Sequence, residues 1–573
     1  MKSLLIFLKD YKKESVLAPL FKMLEALFEL IVPLIMASII DVGIARADII
    51  YIFKMCLILI LLGIIGLCAS LTAQYFAAKA ATGFATKLRR ALFEHIQDFS
   101  FSQIDLFGTD TLINRMTSDI NDVQGGVNMF LRLFMRSPFV VFGAMIMAFT
   151  VDIKSAFIFV VAIPLLAVVI FAILIITIPL YRKVQDKLDG VMTSTRENLI
   201  GVRVIRAFNK EKSEEELFID KNTSLNHAQQ YVGAISGIMN PVTYLMINIA
   251  TVILIYIGAV RVDIGILTQG EVIALLNYMS QILVELIKLA NLIIQITKAI
   301  ACGDRIATVL NTSPNMDDGH EKLNIQNSDI AVEFDNVSFF YDDDGGNVLE
   351  NISFKVMKGQ TVGIIGGTGS GKTSLISLIP RFYDTNSGQV RIFDKDVRSY
   401  MIEDLRAHIG IVMQKAELFK GTIEDNLKWG NRNASEEDIN KAIEISQAKE
   451  FVDQKIGKCK FMIEQSGRNL SGGQKQRLTI ARALVKHPDI LIMDDSASAL
   501  DFATDAKLRT AIAESNGNMT TFIVSQRAAS VQNADIILVL DEGKIVGIGT
   551  HKELLTQNKV YQEIYYSQFS KEA

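Results

Sequence analysis

The chain has 573 residues, of which 50% are hydrophobic, and its formal net charge is −4. This length exceeds that of one ordinary domain, and the near balance of charges excludes a strongly basic surface, so no nucleic-acid partner is predicted. The cysteines are few and far apart, which excludes a metal-binding pair by spacing. We expect all of them to be buried free thiols: Cys56, Cys68, Cys302 and Cys459.

Hydrophobic residues are concentrated before residue 304. The segments 155–180 and 232–260 carry no charged residue, and each exceeds the roughly 20 residues that cross a bilayer. The pattern predicts an all-α polytopic membrane domain over residues 14–303. The first and last spans are weaker because they contain charged residues. The six predicted spans are about 16–40, 51–78, 131–151, 155–181, 232–260 and 272–299.

The distribution of basic residues predicts the orientation of these spans. The long breaks 79–126 and 182–231 are rich in Lys and Arg, whereas the short breaks are not. The positive-inside bias therefore places both long breaks and both termini in the cytoplasm, for a multi-pass protein of the cytoplasmic membrane. Apolar residues at helical spacing predict that the helices continue beyond the membrane. Residues 1–13 predict an interfacial helix, with a frayed terminus as the alternative.

The composition changes after the last span. Residues 304–328 contain turn-forming Pro, Gly, Asp and Asn and predict a linker. Over residues 329–573, short apolar runs alternate with helical stretches, which predicts an α/β domain with a largely parallel sheet. The runs expected as strands are 362–365, 409–413, 490–493, 521–524 and 536–540.

A phosphate-binding loop follows the first of these runs and precedes a helical stretch that begins near Ser374. Its backbone N–H groups and the helix start favour phosphate oxygens. Lys372 is predicted to reach the β- and γ-phosphates of ATP, and the hydroxyl of Thr373 to ligate Mg²⁺. The run 490–493 ends in Asp494, a Walker B acid predicted to hold the same Mg²⁺. The loop is Gly366-Gly367-Thr368-Gly369-Ser370-Gly371-Lys372-Thr373.

Further motifs resemble those of ATP-binding-cassette (ABC) transporters. The segment LSGGQ at 470–474 is similar to the signature of that family, and 498–501 is similar to its D-loop. The segments LINRMTSDINDV and ENLIGVRVIRAFNKE resemble those that flank the coupling helices of ABC exporters. The resemblance implies six spans followed by one α/β P-loop ATPase domain, with ATP and Mg²⁺ as cofactors.

The resemblance also implies roles for single residues. Tyr341 would stack on adenine, and Gln414 would contact Mg²⁺. The alternative for Tyr341 is an exposed aromatic residue of a strand, and the alternative for Gln414 is a solvated loop residue. The signature would complete the ATP site of a second ATPase domain in trans, although a plain helix cap at Ser471 is the alternative. The residues expected to act in trans are Ser471, Gly472, Gly473, Gln474 and Asp501.

Two catalytic positions depart from the family pattern. Asp495 stands where the family usually carries Glu, and Gln526 where it usually carries His. Asp is one methylene shorter than Glu, and Gln cannot shuttle a proton, so slow hydrolysis at this site is predicted. The intact signature favours a heterodimer with a second exporter half that carries Glu and His. The alternatives are a slow homodimer and a non-transporting, ATP-gated or regulatory subunit.

Charged residues inside the spans are candidate groups of a transport path. Glu285 and Lys288 are three residues apart on the last span and are expected to neutralise each other. Glu29 in the first span is a candidate of the same kind. The alternative is that all of them serve helix packing. The sequence leaves the substrate open among small molecules, lipids and peptides.

Overall fold

The computed structural model describes residues 2–325, 328–341, 346–496, 498–515 and 518–569. The chain forms two compact units. The first, the membrane unit, comprises Met1–Gln97 and Gly108–Ser313. The second, the nucleotide unit, comprises Asp98–Phe107 and Pro314–Ala573.

The residues before the linker are almost entirely helical. A 3₁₀ helix over Lys2–Tyr11 leads directly into the first α-helix, and whether it lies at a membrane surface stays a prediction. Short π-helical turns lie at Ile39–Ile44, Arg115–Asp119 and Phe130–Phe134. The α-helices are α1 (Lys12–Ser38), α2 (Ile49–Gln97), α3 (Phe101–Phe107), α4 (Thr109–Asn114), α5 (Ile120–Met129), α6 (Arg136–Val151), α7 (Ile153–Ile200), α8 (Val202–Ala207), α9 (Glu211–Gly237), α10 (Met239–Asp263) and α11 (Gln269–Asn311).

Among the described residues, six helical stretches are long and apolar enough to cross a membrane. Each contains one predicted span, so the six-span all-α fold is confirmed. Several of the stretches are far longer than a bilayer requires, as the helical spacing in the long breaks predicted. The stretches are Ser3–Ile44, Ile49–Gln97, Thr109–Val151, Ile153–Ile200, Glu211–Asp263 and Gln269–Asn311.

The membrane unit is held by close packing of small and aliphatic side chains. Helix α1 packs against α2, α6 and α11, and α7 packs against α9 and α10. Ala26, Ala144 and Ala274 belong to one buried cluster that joins α1, α6, α7, α10 and α11. Small residues of this kind let helix backbones approach closely, which favours van der Waals packing between helices in lipid.

The nucleotide unit contains the α/β domain predicted from the alternating pattern. Its strands are β1 (Ile330–Phe339), β2 (Leu349–Met357), β3 (Thr361–Gly366), β4 (Ser387–Ile392), β5 (Lys395–Asp396), β6 (Ile409–Val412), β7 (Gly421–Thr422), β8 (Met462–Ile463), β9 (Ile490–Asp494), β10 (Thr520–Val524), β11 (Ile536–Asp541) and β12 (Lys544–Gly549). Its helices, besides α3, are α12 (Lys372–Leu378), α13 (Ile402–Ala407), α14 (Ile423–Lys428), α15 (Glu436–Ile445), α16 (Lys449–Asp453), α17 (Gly472–Leu484), α18 (Phe502–Ser515), α19 (Ala528–Val531), α20 (His551–Gln557) and α21 (Lys559–Tyr566).

The central sheet has the strand order β12-β11-β3-β10-β9-β6. All neighbours in it are parallel except β11 and β12, so the largely parallel sheet is confirmed. A second, antiparallel sheet has the order β2-β1-β4-β5, and β7 pairs with β8. In the central sheet Val524 is in register with both Ile364 and Asp494, so β3, β9 and β10 end at one edge. Ligands of open α/β sheets bind at such an edge.

Three expectations from the sequence need correction. The linker does not begin at residue 304, because α11 continues to Asn311. Residues 98–107, predicted as part of the membrane domain, belong to the nucleotide unit, where aromatic contacts hold them. All four cysteines are free, but only Cys302 is buried. Cys459 is half-buried, and Cys56 and Cys68 are exposed on α2, so the prediction of burial is wrong for these three.

Candidate nucleotide-binding site

The phosphate-binding loop connects β3 to α12, as its sequence context predicted. Gly371 ends the loop with φ of +92°, and a Cβ there would lie 2.9 Å from the carbonyl oxygen of Val348. Only glycine meets both conditions without strain. Lys372 follows as the first residue of α12. Its ammonium group donates to the carbonyl oxygens of Gly366 at 3.0 Å and Gly367 at 2.6 Å, which holds the loop closed.

The Walker B carboxylate lies next to the first turn of α12. Asp494 is the last residue of β9, with 3% of its surface exposed. The hydroxyl of Thr373 donates to its two carboxylate oxygens, at 3.0 and 3.2 Å. Burial raises the pKa of Asp494, while the Thr373 hydroxyl opposes that shift. These oxygen donors fit Mg²⁺, which prefers one or two carboxylates together with phosphate oxygens and water.

A cavity of about 300 Å³ lies at this edge of the sheet. It brings together most of the residues predicted to bind ATP or Mg²⁺, including Gln414, which comes from the loop after β6. Three further residues, Val348, Val524 and Ser525, also line the cavity. They were missed because each is an ordinary strand-end residue. The predicted residues in the lining are Thr368, Gly369, Gly371, Lys372, Thr373, Ser374, Gln414, Asp494, Asp495 and Gln526.

Asp495 has an uncommon backbone conformation. Its φ is +42°, which Asp tolerates better than most residues. Its N–H donates to the carbonyl oxygen of Val524 at 3.0 Å, which anchors it to β10. Burial raises the pKa of the Asp495 carboxyl, and Arg527, Lys372 and Gln414 oppose the shift. Burial likewise lowers the pKa of Lys372, whose charge Asp495 and Asp494 favour.

The backbone that follows the Gln526 side chain is held by Gln568, close to the C-terminus. The Gln568 amide donates to the Gln526 carbonyl oxygen at 2.8 Å, and its own oxygen accepts from the Ala528 N–H at 2.8 Å. Arg527 extends the other way, toward the carbonyl oxygens of Leu500 and Ser498. The sequence carried no signal for Gln568, because its partners are some forty residues away and backbone atoms carry no motif.

Tyr341 lies just after β1 and does not line the cavity. Its side chain is half exposed, and its hydroxyl lies 2.8 Å from the Ser374 hydroxyl on α12. The hydroxyl therefore ties the aromatic ring to the phosphate-binding helix, while about half of the side chain stays exposed. This arrangement suits a ring that stacks on a flat base.

The signature residues also lie outside the cavity. Ser471 caps α17, accepting from the Gln474 N–H at 3.3 Å, while the Gln474 side chain accepts from the Ser471 N–H at 3.1 Å. Ser471 is therefore the N-cap of α17, as the alternative interpretation of the signature expected. Asp501 accepts from the N–H and hydroxyl of Thr504 at the start of α18. Neither these residues nor Gly472 and Gly473 line this chain's own cavity. Their position outside it is compatible with a role at the ATP site of a second chain.

Both the membrane unit and the nucleotide unit match known protein families. The family model of the ABC transporter transmembrane region matches residues 15–286, and the model described as ABC transporter matches residues 349–498. The chain is 36% identical over 572 residues to the uncharacterized ABC transporter ATP-binding protein YfiB of Bacillus subtilis (strain 168). That alignment covers 100% of this chain and 99% of the relative.

Two further relatives carry more specific names. The putative multidrug export ATP-binding/permease protein YgaD of Bacillus subtilis (strain 168) is 31% identical over 99% of this chain and 98% of its own length. The ATP-dependent lipid A-core flippase of Syntrophus aciditrophicus (strain SB) is 30% identical over 85% of this chain and 80% of its own length. A solved structure of a bacterial Atm1-family ABC exporter with ATP bound has a TM-score of 0.81 at 22% identity, and the match covers 98% of this chain and 99% of that one.

Apolar helices fused to a P-loop α/β unit define an ATP-driven membrane transporter. This chain belongs to the ABC transporter family, and its fold is that of an ABC exporter. It is a multi-pass membrane protein whose ATPase unit couples hydrolysis of ATP to transport. The family requires ATP, and the donor set at Thr373 and Asp494 fits the Mg²⁺ that accompanies it.

Proposed function

We propose that this chain is one half of a heterodimeric ABC exporter that moves a small molecule, lipid or peptide out across the cytoplasmic membrane. Its own ATP site binds nucleotide and hydrolyses it slowly, while its signature completes the hydrolytic site of the other half. The single observation that carries the proposal is the carboxylate after Walker B, Asp495, which lines the cavity with a shorter side chain than a Glu would have.

The length of the side chain matters because a general base works only within hydrogen-bond reach of the water it activates, about 2.6–3.2 Å. The backbone of Asp495 is fixed to β10 by its N–H and to Ser498 by its carbonyl oxygen, at 3.0 and 2.8 Å. It is thus poorly placed to move forward and compensate for the missing methylene. A displacement of about 1 Å in such a group costs about 100-fold in rate.

Gln526 removes the second catalytic function. An amide can donate to a phosphate oxygen, but it neither gains nor loses a proton near neutral pH. The paired hydrogen bonds from Gln568 hold the backbone of this loop in place. We infer that Gln526 serves as a neutral phosphate contact in a site that keeps its nucleotide.

The binding residues are complete by contrast. In this proposal Lys372 carries the phosphate charge, and Thr373 and Asp494 hold Mg²⁺, with Gln414 at the same cavity. Bound Mg²⁺ would neutralise charge on the β- and γ-phosphates. The proposal assigns nucleotide contacts through backbone and side chains to the rest of the loop, which comprises Gly366, Gly367, Thr368, Gly369, Ser370, Gly371 and Ser374.

The signature segment suits an approach from outside the chain. A Cβ added at Gly472 would meet no heavy atom of the described residues within 4 Å, so the packing of this chain does not explain the glycine. At Gly473 a Cβ would lie 3.1 Å from the carbonyl oxygen of Ala499, so this glycine also serves internal packing. An open backbone at the start of α17 favours a phosphate of a nucleotide held by another chain.

The orientation and cargo rest on coarser grounds. We infer from the positive-inside bias of the basic breaks that the nucleotide unit and both termini lie in the cytoplasm. The names of the relatives point to drugs and to a lipid, and both classes suit a largely apolar path through six helices. We propose an amphipathic cargo on this basis.

The proposal is tested by purifying the chain alone and together with a companion exporter half that carries Glu and His, each in lipid nanodiscs. ATP turnover by this chain alone is expected to be about 100-fold slower than by the pair. The double variant Asp495→Glu/Gln526→His should raise turnover in the self-paired form. Asp495→Asn in the pair should leave turnover nearly unchanged.

Other outcomes identify the alternatives. Fast turnover by the chain alone that Asp495→Asn abolishes would establish a homodimer and reject the proposal. A pair that hydrolyses ATP but moves no labelled drug or lipid in sealed vesicles, while ATP opens an ion conductance, would identify an ATP-gated subunit instead.

A further inference from the structure

Helix α3 is separated in sequence from the unit in which it packs. It lies between α2 and α4 of the membrane unit, yet Asp98–Phe107 belongs to the nucleotide unit. The backbone joins α3 to the long helix α2 on one side and to the short helix α4 on the other, so its contacts in the nucleotide unit act on a segment that is continuous with helices of the membrane unit.

The N-terminal end of α3 is held by the linker. The Ser100 hydroxyl donates to the side-chain oxygen of Asn315 at 2.5 Å, and the Asn315 amide donates to the Ser102 hydroxyl at 3.0 Å. The Phe101 ring stacks on Phe382, with centroids 4.4 Å apart. Phe382 follows α12 in the chain, so α3 rests on the segment that leaves the phosphate-binding helix.

The C-terminal half of α3 is held by Tyr383. The Tyr383 hydroxyl donates to a carboxylate oxygen of Asp105 at 2.7 Å. Burial is the larger cause, and this hydrogen bond the next, of a raised pKa of Tyr383, so the hydroxyl keeps its proton at any physiological pH. A hydrogen bond from a hydroxyl to a carboxylate is of the stronger, charge-assisted kind.

The other side of Tyr383 faces the aromatic residue assigned to adenine. Its ring lies edge-on to Tyr341, with centroids 5.1 Å apart and an interplanar angle of 88°. Phe339 packs against both tyrosine rings, at 4.8 and 5.6 Å. Tyr341 is in turn tied to Ser374 on α12. A continuous set of contacts thus runs from the phosphate-binding helix through Tyr341 and Tyr383 to Asp105.

We propose that Tyr383 is a positioning residue that makes the seating of α3 depend on the adenine base of the bound nucleotide. The inference rests on the assignment of Tyr341 to adenine in the proposed function. A base stacked on Tyr341 restricts that ring, and the restricted ring holds Tyr383 in the orientation that reaches Asp105. Because coupling between two sites is reciprocal, a seated α3 also raises the affinity for adenine nucleotides.

Phosphate alone should not produce this effect. Inorganic tripolyphosphate should fill the phosphate loop but leave the exposed part of Tyr341 uncovered. A nucleotide and tripolyphosphate should therefore protect the phosphate loop alike and α3 differently. A merely structural role of Tyr383 would change α3 equally with both ligands.

The test is hydrogen–deuterium exchange, read by mass spectrometry, on the full chain in nanodiscs with saturating Mg²⁺ and either AMP-PNP or tripolyphosphate. In the unmodified chain, exchange over 98–107 should be at least about fivefold slower with AMP-PNP than with tripolyphosphate, a coupling of ordinary size. In Tyr383→Phe and Asp105→Asn, this difference should shrink to less than about twofold, while both ligands still protect 362–376. Tyr400→Phe is the matched control, because it loses a buried hydroxyl bonded at 2.7 Å to Ile392 in the same unit.

The proposal is overturned if Tyr383→Phe keeps the full difference between the two ligands, or if the control loses it equally. Tyr341→Ala separates this result from failure of the adenine assignment. If that variant binds AMP-PNP as well as the unmodified chain does, Tyr341 does not hold the base, and the inference falls with it. If Tyr341→Ala weakens AMP-PNP but not tripolyphosphate, the assignment stands, and the Tyr383 result decides the inference alone.

Discussion

The guanidinium of Arg136 on α6 donates to the carboxylate of Glu285 on α11 at 2.5 Å, and both side chains are buried within the membrane unit. Arg136 also donates to Glu29 on α1 at 2.6 Å, and Glu285 accepts from Lys288 at 2.9 Å. Two carboxylates and two cationic side chains therefore form one row of ion pairs across three spans, in the order Glu29, Arg136, Glu285 and Lys288. The expected pairing of Glu285 with Lys288 is observed, but the buried centre of the row is the pair with Arg136.

Replacing Glu285 with Gln should destabilise the membrane unit. Of its ion-pair partners among the described residues, Arg136 would keep only Glu29, whose side chain is half exposed. Removal of one partner of a buried ion pair typically costs about 3–5 kcal/mol. We expect a clear drop in the temperature at which the detergent-solubilised chain loses its helical circular dichroism. Lys288→Gln is the control, because the Lys288 side chain is half exposed and its loss should cost about 1 kcal/mol or less. Equal melting of Glu285→Gln and the unmodified chain would show that the row is not a structural element.

The row also illustrates what the sequence could not reveal. Its partners lie 107 and 149 positions apart, so no local pattern relates them. The phosphate loop and Walker B strand were predictable because each is a short segment whose chemistry and local structure coincide. The fate of α3 was not, because its packing is decided by Phe382 and Tyr383, which lie far along the chain. The catalytic assignment of Asp495 and Gln526 stays a prediction, since position alone does not measure a rate.

Asp494→Asn should stabilise the nucleotide-free protein. Burial raises the folded-state pKa of Asp494, so its ionised form opposes folding. The penalty is absent below the pKa of the unfolded chain, grows as pH rises from there to the folded-state pKa, and is constant above it. The gain in unfolding temperature should therefore amount to a few degrees at pH 8 and shrink as the pH approaches the ordinary aspartate pKa of 3.8. It can be followed by fluorescence of Trp429, the single tryptophan, which lies in the nucleotide unit.

With Mg²⁺ and ATP bound, the unmodified chain should be more stable than Asp494→Asn. Asp494→Asn removes a carboxylate from the proposed metal site, so the stabilisation that Mg²⁺ and ATP give the unmodified chain should be largely lost. Asp541→Asn, at the exposed end of β11 in the same sheet, is the control and should change neither quantity. A variant that is less stable than the unmodified chain without nucleotide at pH 8 would contradict the assigned pKa direction.

Thr373→Ala should weaken binding of ATP only when Mg²⁺ is present. The hydroxyl donates to Asp494 and is proposed to share a metal ion with it. Loss of one charge-assisted contact corresponds to about 1.5–3 kcal/mol, or roughly 10-fold or more in affinity. Titration of a fluorescent ATP analogue with Mg²⁺ and with EDTA separates the two conditions. Thr373→Ser keeps the hydroxyl and should bind almost normally, whereas an equal loss in EDTA would assign Thr373 a structural role alone.

Ser471→Ala distinguishes a signature that acts in trans from a plain helix cap. Ser471 and Ser435 both cap their helices through a reciprocal pair of hydrogen bonds, with Gln474 and Asp438. Removing either hydroxyl should cost about 1 kcal/mol of stability, the usual value for such a cap. If caps alone mattered, Ser435→Ala and Ser471→Ala would have the same effect on ATP turnover by the assembled pair.

The proposed function predicts that they differ. In the assembly with a companion half, Ser471→Ala should lower turnover by about 10-fold, since the hydroxyl then faces a nucleotide held by the companion. Ser435→Ala should lower stability alike and leave turnover within about twofold. In this chain assembled with itself, neither variant should change the slow rate much, because the limiting groups there are Asp495 and Gln526. Equal turnover of the two variants in the pair would leave Ser471 as a cap and remove the trans role from the proposal.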